Sequence, residues 1–390
     1  MLIGVVRESR ADERRVAATP ETVKKLKDKG HSLVVEAGAG VASSIPDADY
    51  VAAGATIGST AEAWAAELVL KLQKPLPTPT GHEADRLSEG ATVLSFVYPG
   101  DAAALVEILR AKKATVLAME AVPRISRAQN MDALSAMANI AGYRAILEAA
   151  YLFPRYFPLL MTAAGRVPPA SVLVVGAGVA GLSAIATAKR LGAAVKAFDT
   201  RPAVKDQVKS VGGEFLQIDT QADAEDKGGY AKAASEETLA KIRALLHETA
   251  INSDIVVTTA LVGGKTAPRL IETATVDAMR PGSVVVDLAV EGGGNVGCTV
   301  RGEAIQRANG AWVLGYTNLA GRMPFDASRL YARTVLNLLT HFHGKEGYNL
   351  DLADEITGPV ALMHKGEART DAWKSSAPTA ASQNSAGGPS

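Results

Sequence analysis

Two stretches of this chain hold residue types that can do chemistry on a nucleotide. In the first, Gly176, Gly178 and Gly181 stand in the spacing G-x-G-x-x-G. The β-branched run 172–175 before them reads as a buried strand. An Ala-rich helix follows, opened by Val179 and Ala180 and ended by Lys189-Arg190, with Gly192 as its stop. A second strand over 194–198 leads to Asp199, Thr200 and Arg201. The order strand, glycine turn, helix, strand, acid suits a dinucleotide. Gly176 permits the tight turn, Gly178 lets the backbone approach a pyrophosphate, and Gly181 lets helix pack on strand. The helix N-terminus offers free N–H groups and a positive dipole end. Asp199 can accept hydrogen bonds from an adenosine ribose, and its charge opposes a 2′-phosphate. In the second stretch, residues 123–135, Arg124, Gln129, Asp132 and Ser135 can hydrogen-bond an amide or a ribose. No group there titrates near neutrality, and on polarity alone an interdomain loop is an equal reading.

Other polar groups stand at expected strand ends. Residues 284–295 run from a strand into Asp287, Glu291 and three glycines, where ligands bind in open α/β sheets. Glu291 reads as a base, a ribose ligand or a solvated acid. Thr259, Ala260 and Leu261 begin a stretch that ends in glycines, and Asn318 lies in the turn 315–323. Residues 219–237, which include Gly229 and Tyr230, read as a long exposed loop. Arg15 and Lys71, read on their own, are surface charges. His341 and His343 are expected in a solvated helix end rather than on a metal, and no Cys/His cluster has zinc spacing.

The elements that must position these groups alternate. Strands are expected over 2–6, 32–36, 67–71, 92–96 and 115–118, with helices at 19–30, 47–53, 60–66 and 102–111. A helix over 140–150 leads to a second alternating unit, with strands at 214–216, 255–258, 283–287 and 312–315, and a long helix returns over 328–341. The reading is an α/β fold of two Rossmann-like domains with parallel sheets, joined by long helices. The first domain covers 1–138 with 328–374 and has no glycine turn. The second covers 139–327, and 375–390 is a low-complexity, disordered tail.

Composition narrows the partners. Lys plus Arg and Asp plus Glu both number 41, so charge gives no case for nucleic acid or an anionic membrane. A single cysteine excludes an internal disulfide framework and suits a reducing compartment. No apolar run of about 20 residues is present, nor a secretion-signal pattern at the N-terminus.

Five motifs carry a family resemblance. They are Glu13-Arg-Arg-Val-Ala-Ala-Thr-Pro-Glu21, the stretch 123–135, Ala138-Asn-Ile-Ala-Gly-Tyr-Arg144, Met161-Thr-Ala-Ala-Gly-Arg-Val-Pro-Pro-Ala170 and Val286-Asp-Leu-Ala-Val-Glu-Gly-Gly-Gly-Asn295. Through them residues 1 to about 345 resemble the NAD(H)-binding subunit of proton-translocating NAD(P) transhydrogenases. The resemblance implies NAD(H) in a central cleft between the domains, a homodimer, and NADP(H) on a partner subunit. It implies separate membrane-spanning subunits that move protons, no membrane insertion of this chain, and a cytoplasmic place peripheral to the inner membrane. It assigns Arg124, Gln129, Asp132 and Ser135 to the nicotinamide and its ribose, with Gln129 orienting the ring. It assigns Asp199 to the adenosine ribose and Tyr230 to a closing loop. Residues Gly176, Gly178, Val179, Ala180, Gly181, Thr200, Arg201, Gly229, Thr259, Ala260, Leu261, Glu291 and Asn318 complete the expected nucleotide site.

Alanine dehydrogenase is similar too, and an amino-acid oxidoreductase of that kind is the alternative. There Arg15 and Lys71 match keto-acid ligands. The histidine that such enzymes carry after the strand is absent from Leu94-Ser-Phe-Val-Tyr-Pro-Gly100, and Glu291 replaces an aspartate. Ala320 also stands where related chains often carry proline. Reductive amination needs a proton donor. Hydride exchange between two nicotinamides needs only close, aligned, dry rings. A regulatory NADH binder without turnover is a third reading, of another class.

Overall fold

The computed structural model describes residues 1–99, 103–217, 236–261, 266–344, 347–370 and 373. These form two compact units, Met1–Ala136 with the chain from Pro324 onward, and Met137–Met323.

In the first unit, short runs of β-branched and aliphatic residues form the sheet. Leu68–Leu70 and Thr115–Ala118 are buried throughout, as sheets covered on both faces require. The strands lie in the order Glu367–Ala368, Ala361–His364, Thr115–Ala118, Thr92–Ser95, Leu68–Leu70, Leu2–Val5, Ser32–Glu36, Thr56–Gly58. The six from Thr115–Ala118 to Thr56–Gly58 are parallel. Their order reverses between Leu2–Val5 and Leu68–Leu70. The sheet is not wholly parallel, because Ala361–His364 pairs antiparallel with Thr115–Ala118 and carries a hairpin partner. Thr56–Gly58 and the pair at 361–368 were not expected from the sequence. Thr56–Gly58 and Glu367–Ala368 are the edges of the sheet, and an edge needs no continuous apolar run; Ala361–His364 lies between Glu367–Ala368 and Thr115–Ala118.

In the second unit the order is Glu214–Leu216, Ala194–Phe198, Ser171–Val175, Ile255–Thr258, Val284–Asp287, Trp312–Leu314, Ala304–Gln306, antiparallel only at the last pair. The order reverses between Ser171–Val175 and Ile255–Thr258. Chains of this type bind ligands at that reversal, outside the strand carboxyl ends. An antiparallel hairpin, Leu160–Thr162 with Gly165–Val167, precedes the sheet.

Two helices begin earlier than the sequence suggests. The helix expected from 140 runs Ala133–Leu152, and the one expected from 328 runs Pro324–His341. Asp132 sets the first start: its Oδ1 accepts the Ser135 N–H at 2.8 Å, an N-cap bond. Pro324 occupies the first helical position of the second, where its missing N–H costs nothing. A further helix, Glu236–Ile251, follows the stretch read as loop.

Candidate nucleotide site

The glycine turn of the second unit has a distinct steric reason at each glycine. Gly176 has φ +99°, and a Cβ there would lie 2.6 Å from Thr259 Oγ1. A Cβ on Gly181 would lie 1.8 Å from the Gly176 carbonyl oxygen, so helix and strand close only with glycine. A Cβ on Gly178 would meet nothing within 4 Å: the space in front of it is open to a ligand. Gly178 is the N-cap of the helix Val179–Arg190, and Val179 is exposed at its start. Gly142, on the preceding helix, approaches so closely that its Cβ would lie 2.0 Å from the Ala180 carbonyl oxygen. Ser183 Oγ donates to the Asn139 carbonyl at 2.7 Å beside it. Gly142 thus fixes the first turn of the fingerprint helix. It stands outside the G-x-G-x-x-G spacing, so no local pattern marks it.

Around this turn the structure brings several expected residues together. Thr259 Oγ1 donates to the Gly176 carbonyl at 3.1 Å, joining the two strand ends at the reversal. Asp199 Oδ2 accepts the Ala177 N–H at 2.7 Å, and Asp199 is ion-paired with Arg201 at 3.0 Å. Thr200 lies between them, half-buried. Ala260 is held at both polar atoms by Asn295: its N–H donates to Asn295 Oδ1 and its carbonyl accepts from Nδ2, each at 2.9 Å. Asn295 is in turn fixed by Asp287. That carboxylate is buried and accepts from the N–H groups of Ala289, Asn295 and Val296 and from the hydroxyls of Thr258 and Thr299. Asp287 therefore shapes the turn and does not face a ligand. Leu261 and Glu291 are exposed on the same rim, and Leu261 Cδ2 would lie 3.3 Å from a Cβ on Gly292. Asn318 adopts φ +50° and accepts the Gly321 N–H, capping a short turn. The turn is anchored by Arg322, which lies 3.8 Å from the Tyr316 ring centroid and 2.8 Å from Glu148. Gly229, Tyr230 and residues 262–265 lie outside the described residues, as does the tail.

The second expected group, in the first unit, is arranged differently. Arg124 and Gln129 are exposed. Asp132 and Ser135 bond one another, the Ser135 N–H to Oδ1 and its hydroxyl to Oδ2. Ser135 is thus in a helix rather than a loop, with its partner already chosen. The short turn Ser126–Met131 is held from outside by Asn337, whose Nδ2 donates to the Asn130 carbonyl at 2.7 Å, and by Arg127 on Asp354. Asp354 also accepts from Thr357 and Ile356 and pairs with His341 at 2.8 Å, bonds that hold its carboxyl below the usual range despite some burial.

Three expectations fail here because burial and pairing are set by tertiary packing, which local sequence does not show. Lys71 is fully buried, with Nζ 3.2 Å from Glu8 and 3.4 Å from Glu83. Arg15 is 4% exposed and pairs with Glu13 at 2.6 Å. Neither is a surface charge. Burial opposes the Lys71 charge, but Glu8 and Glu83 outweigh it and hold its pKa above the ordinary value. Burial raises the Glu8 pKa against the pull of Lys71. Glu13 is lowered, its bonds and proximity to Arg15 overcoming burial. His343 is not in a solvated helix end: its ring stands edge-on to His31, centroids 4.9 Å apart. Among the described residues, no group of three or more His, Cys, Asp or Glu is placed to hold a metal ion.

Residues 4–141 match the model of the alanine dehydrogenase/PNT N-terminal domain, and residues 145–371 match that of its C-terminal domain. The chain belongs to the alanine dehydrogenase/PNT family. Within the family it stands with the NAD(P) transhydrogenase alpha subunits. It is 47% identical to the NAD(P) transhydrogenase subunit alpha of Haemophilus influenzae, over 94% of this chain and 71% of that one. It is likewise 47% identical to the first of the parts that make up the NAD(P) transhydrogenase alpha subunit of Rhodospirillum rubrum, over 94% of this chain and 97% of the other. A solved transhydrogenase structure from Sinorhizobium meliloti superposes with a TM-score of 0.84 at 43% identity, covering 94% of this chain and all of that one. An L-alanine dehydrogenase structure gives a TM-score of 0.76 at 26% identity, covering 94% and 96%. The family resemblance read from the motifs and the two-domain α/β fold both hold. No described helix is long and apolar enough to cross a membrane.

Proposed function

We propose that this chain is the NAD(H)-binding component of a proton-translocating NAD(P) transhydrogenase. Hydride passes directly between NAD(H) held here and NADP(H) on a partner subunit. The observation that carries the reading is the strand reversal of the second unit, where Gly176 and Thr259 meet and the space before Gly178 is open. Residues 178–181 fit a pyrophosphate, since N–H groups at a helix N-terminus are unpaired within the helix. Asp199 takes the adenosine ribose, and Thr259, Ala260 and Leu261 with Glu291 and Asn318 form the rim. Arg124, Gln129, Asp132 and Ser135 serve the nicotinamide end, with Gln129 orienting the amide.

The nicotinamide, when bound, supplies the hydride-carrying carbon. The chain's own residues bind, align and exclude water. No proton moves at the reacting carbons, so none of them has to be a general acid. The chain acts as a dimer, and its partners are an NADP(H)-binding subunit and membrane-spanning subunits that translocate protons. It lies on the cytoplasmic side, attached to the inner membrane through them.

An alanine dehydrogenase-like activity has less support. The residues after Thr92–Ser95 include no histidine through Gly100. Arg15 and Lys71 already hold Glu13, Glu8 and Glu83, so a keto-acid carboxylate would have to displace them. The test mixes the purified chain with an NADP(H)-binding transhydrogenase component and follows NADPH-dependent reduction of an NAD⁺ analogue by absorbance. A rate requiring both proteins is expected. NADH binding with no such rate, but turnover of pyruvate and ammonia by the chain alone, would replace this reading with the dehydrogenase one.

A further inference from the structure

Asp199 is the residue proposed for the adenosine ribose, yet every lone-pair site of its carboxylate is engaged. Oδ1 accepts the Arg201 backbone N–H at 2.9 Å and Arg201 Nε–H at 3.0 Å. Oδ2 accepts the Ala177 N–H at 2.7 Å and Arg201 Nη2–H at 3.0 Å. A carboxylate offers about four such sites. The pair is also nearly dry, the Arg201 and Asp199 side chains being 15% and 6% exposed.

Two consequences follow from that geometry. A ribose hydroxyl reaches Asp199 only by displacing a donor. The two backbone N–H groups are fixed by the turn, so the guanidinium, on a rotatable side chain, is the group that yields. Secondly, an acid at this position rejects a 2′-phosphate by charge, and here a guanidinium cancels that charge at hydrogen-bond distance. After displacement its charge remains on the same turn, two residues from Asp199. An arginine near this position is also what lets such sites accommodate a 2′-phosphate.

We infer that Arg201 is a specificity-determining residue of the dinucleotide site: it offsets Asp199 and weakens the rejection of 2′-phosphorylated dinucleotides. The inference rests on the reading of the second unit as an NAD(H) site. It is tested by measuring Kd for NADH and for NADPH on the full chain by nucleotide fluorescence, with the native protein, R201Q and R201K. The ratio of Kd for NADPH to Kd for NADH is expected to rise about tenfold in R201Q, the scale of one unit charge acting across a few ångströms of partly screened protein. R201K, which keeps the charge, should stay within about twofold of the native ratio, a rescue that a purely structural role would not give. An unmoved ratio in R201Q, or an equal rise in R201K, overturns the inference. Should R201Q not fold, the native ratio decides: a preference for NADH beyond roughly a thousandfold (about 4 kcal/mol) is more than an offset charge allows and overturns it, and a smaller one upholds it. No NADH binding by the native chain overturns the dinucleotide reading itself, whereas NADH binding with an unmoved ratio overturns only the role of Arg201.

Discussion

At the strand reversal of the first unit, between Leu2–Val5 and Leu68–Leu70, stands the buried Lys71 ammonium with Glu8 and Glu83 around it. At the same reversal of the second unit, between Ser171–Val175 and Ile255–Thr258, stand three glycines and open space. Both sheets run through the same parallel strand order up to that point. In one, side-chain charges fill the crevice that the topology creates. In the other, side chains have been removed from it and the backbone is left to make the contacts. A shared topology therefore fixes where a site can be and leaves its chemistry to a handful of residues.

The comparison is broken most severely at Lys71. Replacing it by Met leaves Glu8 and Glu83 buried and facing one another with no cation between them. Loss of one partner of a buried pair costs about 3–5 kcal/mol, so K71M should lower the stability of the chain by that order in denaturant unfolding. K71M/E8Q, which removes a carboxylate charge too, should recover part of the loss. If K71M unfolds like the native chain, the ion cluster is not what fills the first crevice.

The glycines come next, and they separate fold from binding. In G181A the added methyl meets the Gly176 carbonyl at 1.8 Å, so the helix must shift. Such overpacking costs about 1–3 kcal/mol, and NADH binding should fall along with stability. In G178A the methyl meets nothing of the protein within 4 Å. Stability should then stay within about 0.5 kcal/mol, while NADH affinity drops about tenfold or more because the methyl occupies ligand space. Equal NADH affinity in G178A and the native chain would remove the pyrophosphate from this turn.

What the sequence made legible follows the same division. The glycine turn, the strand before it and Asp199 all lie within 30 residues, so the strand, the turn and the helix after it are legible from spacing alone. The Lys71 cluster joins residues 8, 71 and 83, and Arg15 looks like any charge in a charged loop. Pairing across that distance is set by the sheet, which periodicity does not specify. The family resemblance assigns Asp132 to the nicotinamide end, while polarity alone suits an N-cap equally, and the helix start it defines lies seven residues before the expected one. Edge strands such as Thr56–Gly58 escaped because three half-exposed residues have no pattern to read.

A smaller effect should distinguish the units by pH. His31, in the first, is 6% exposed, and its Nδ1 is buried without a hydrogen-bond partner. Burial, then the His343 ring, the N-terminus and Lys29, push its pKa down to about 4, against a small opposing pull from Glu67. The unfolded chain protonates nearer 6.5. Stability is therefore complete above about pH 6.5 and is lost as pH falls from there toward 4, with a slope of at most about 1.4 kcal/mol per pH unit. H31Q should flatten this dependence in denaturant midpoints measured between pH 7 and 5. A slope unchanged by H31Q would assign the loss to other groups.

The smallest expected effect falls on Asn337, which bonds the chain beside Gln129. Its amide supports the Asn130 carbonyl from the helix Pro324–His341, next to Gln129. The bond is exposed, so losing it costs about 0.5–1.5 kcal/mol at most. N337A should leave NADH affinity within about twofold of native, because every residue proposed for the phosphates and adenosine lies in the second unit. The turn carrying Gln129 should loosen, and hydride exchange at saturating nucleotide should fall about threefold. N337D, which cannot donate to the carbonyl, should behave as N337A does, whereas N337Q, which keeps an amide donor, should retain more activity. A fall in affinity matching the fall in rate would instead make Asn337 part of ligand binding, and an unchanged rate would free the Gln129 turn from any need of support.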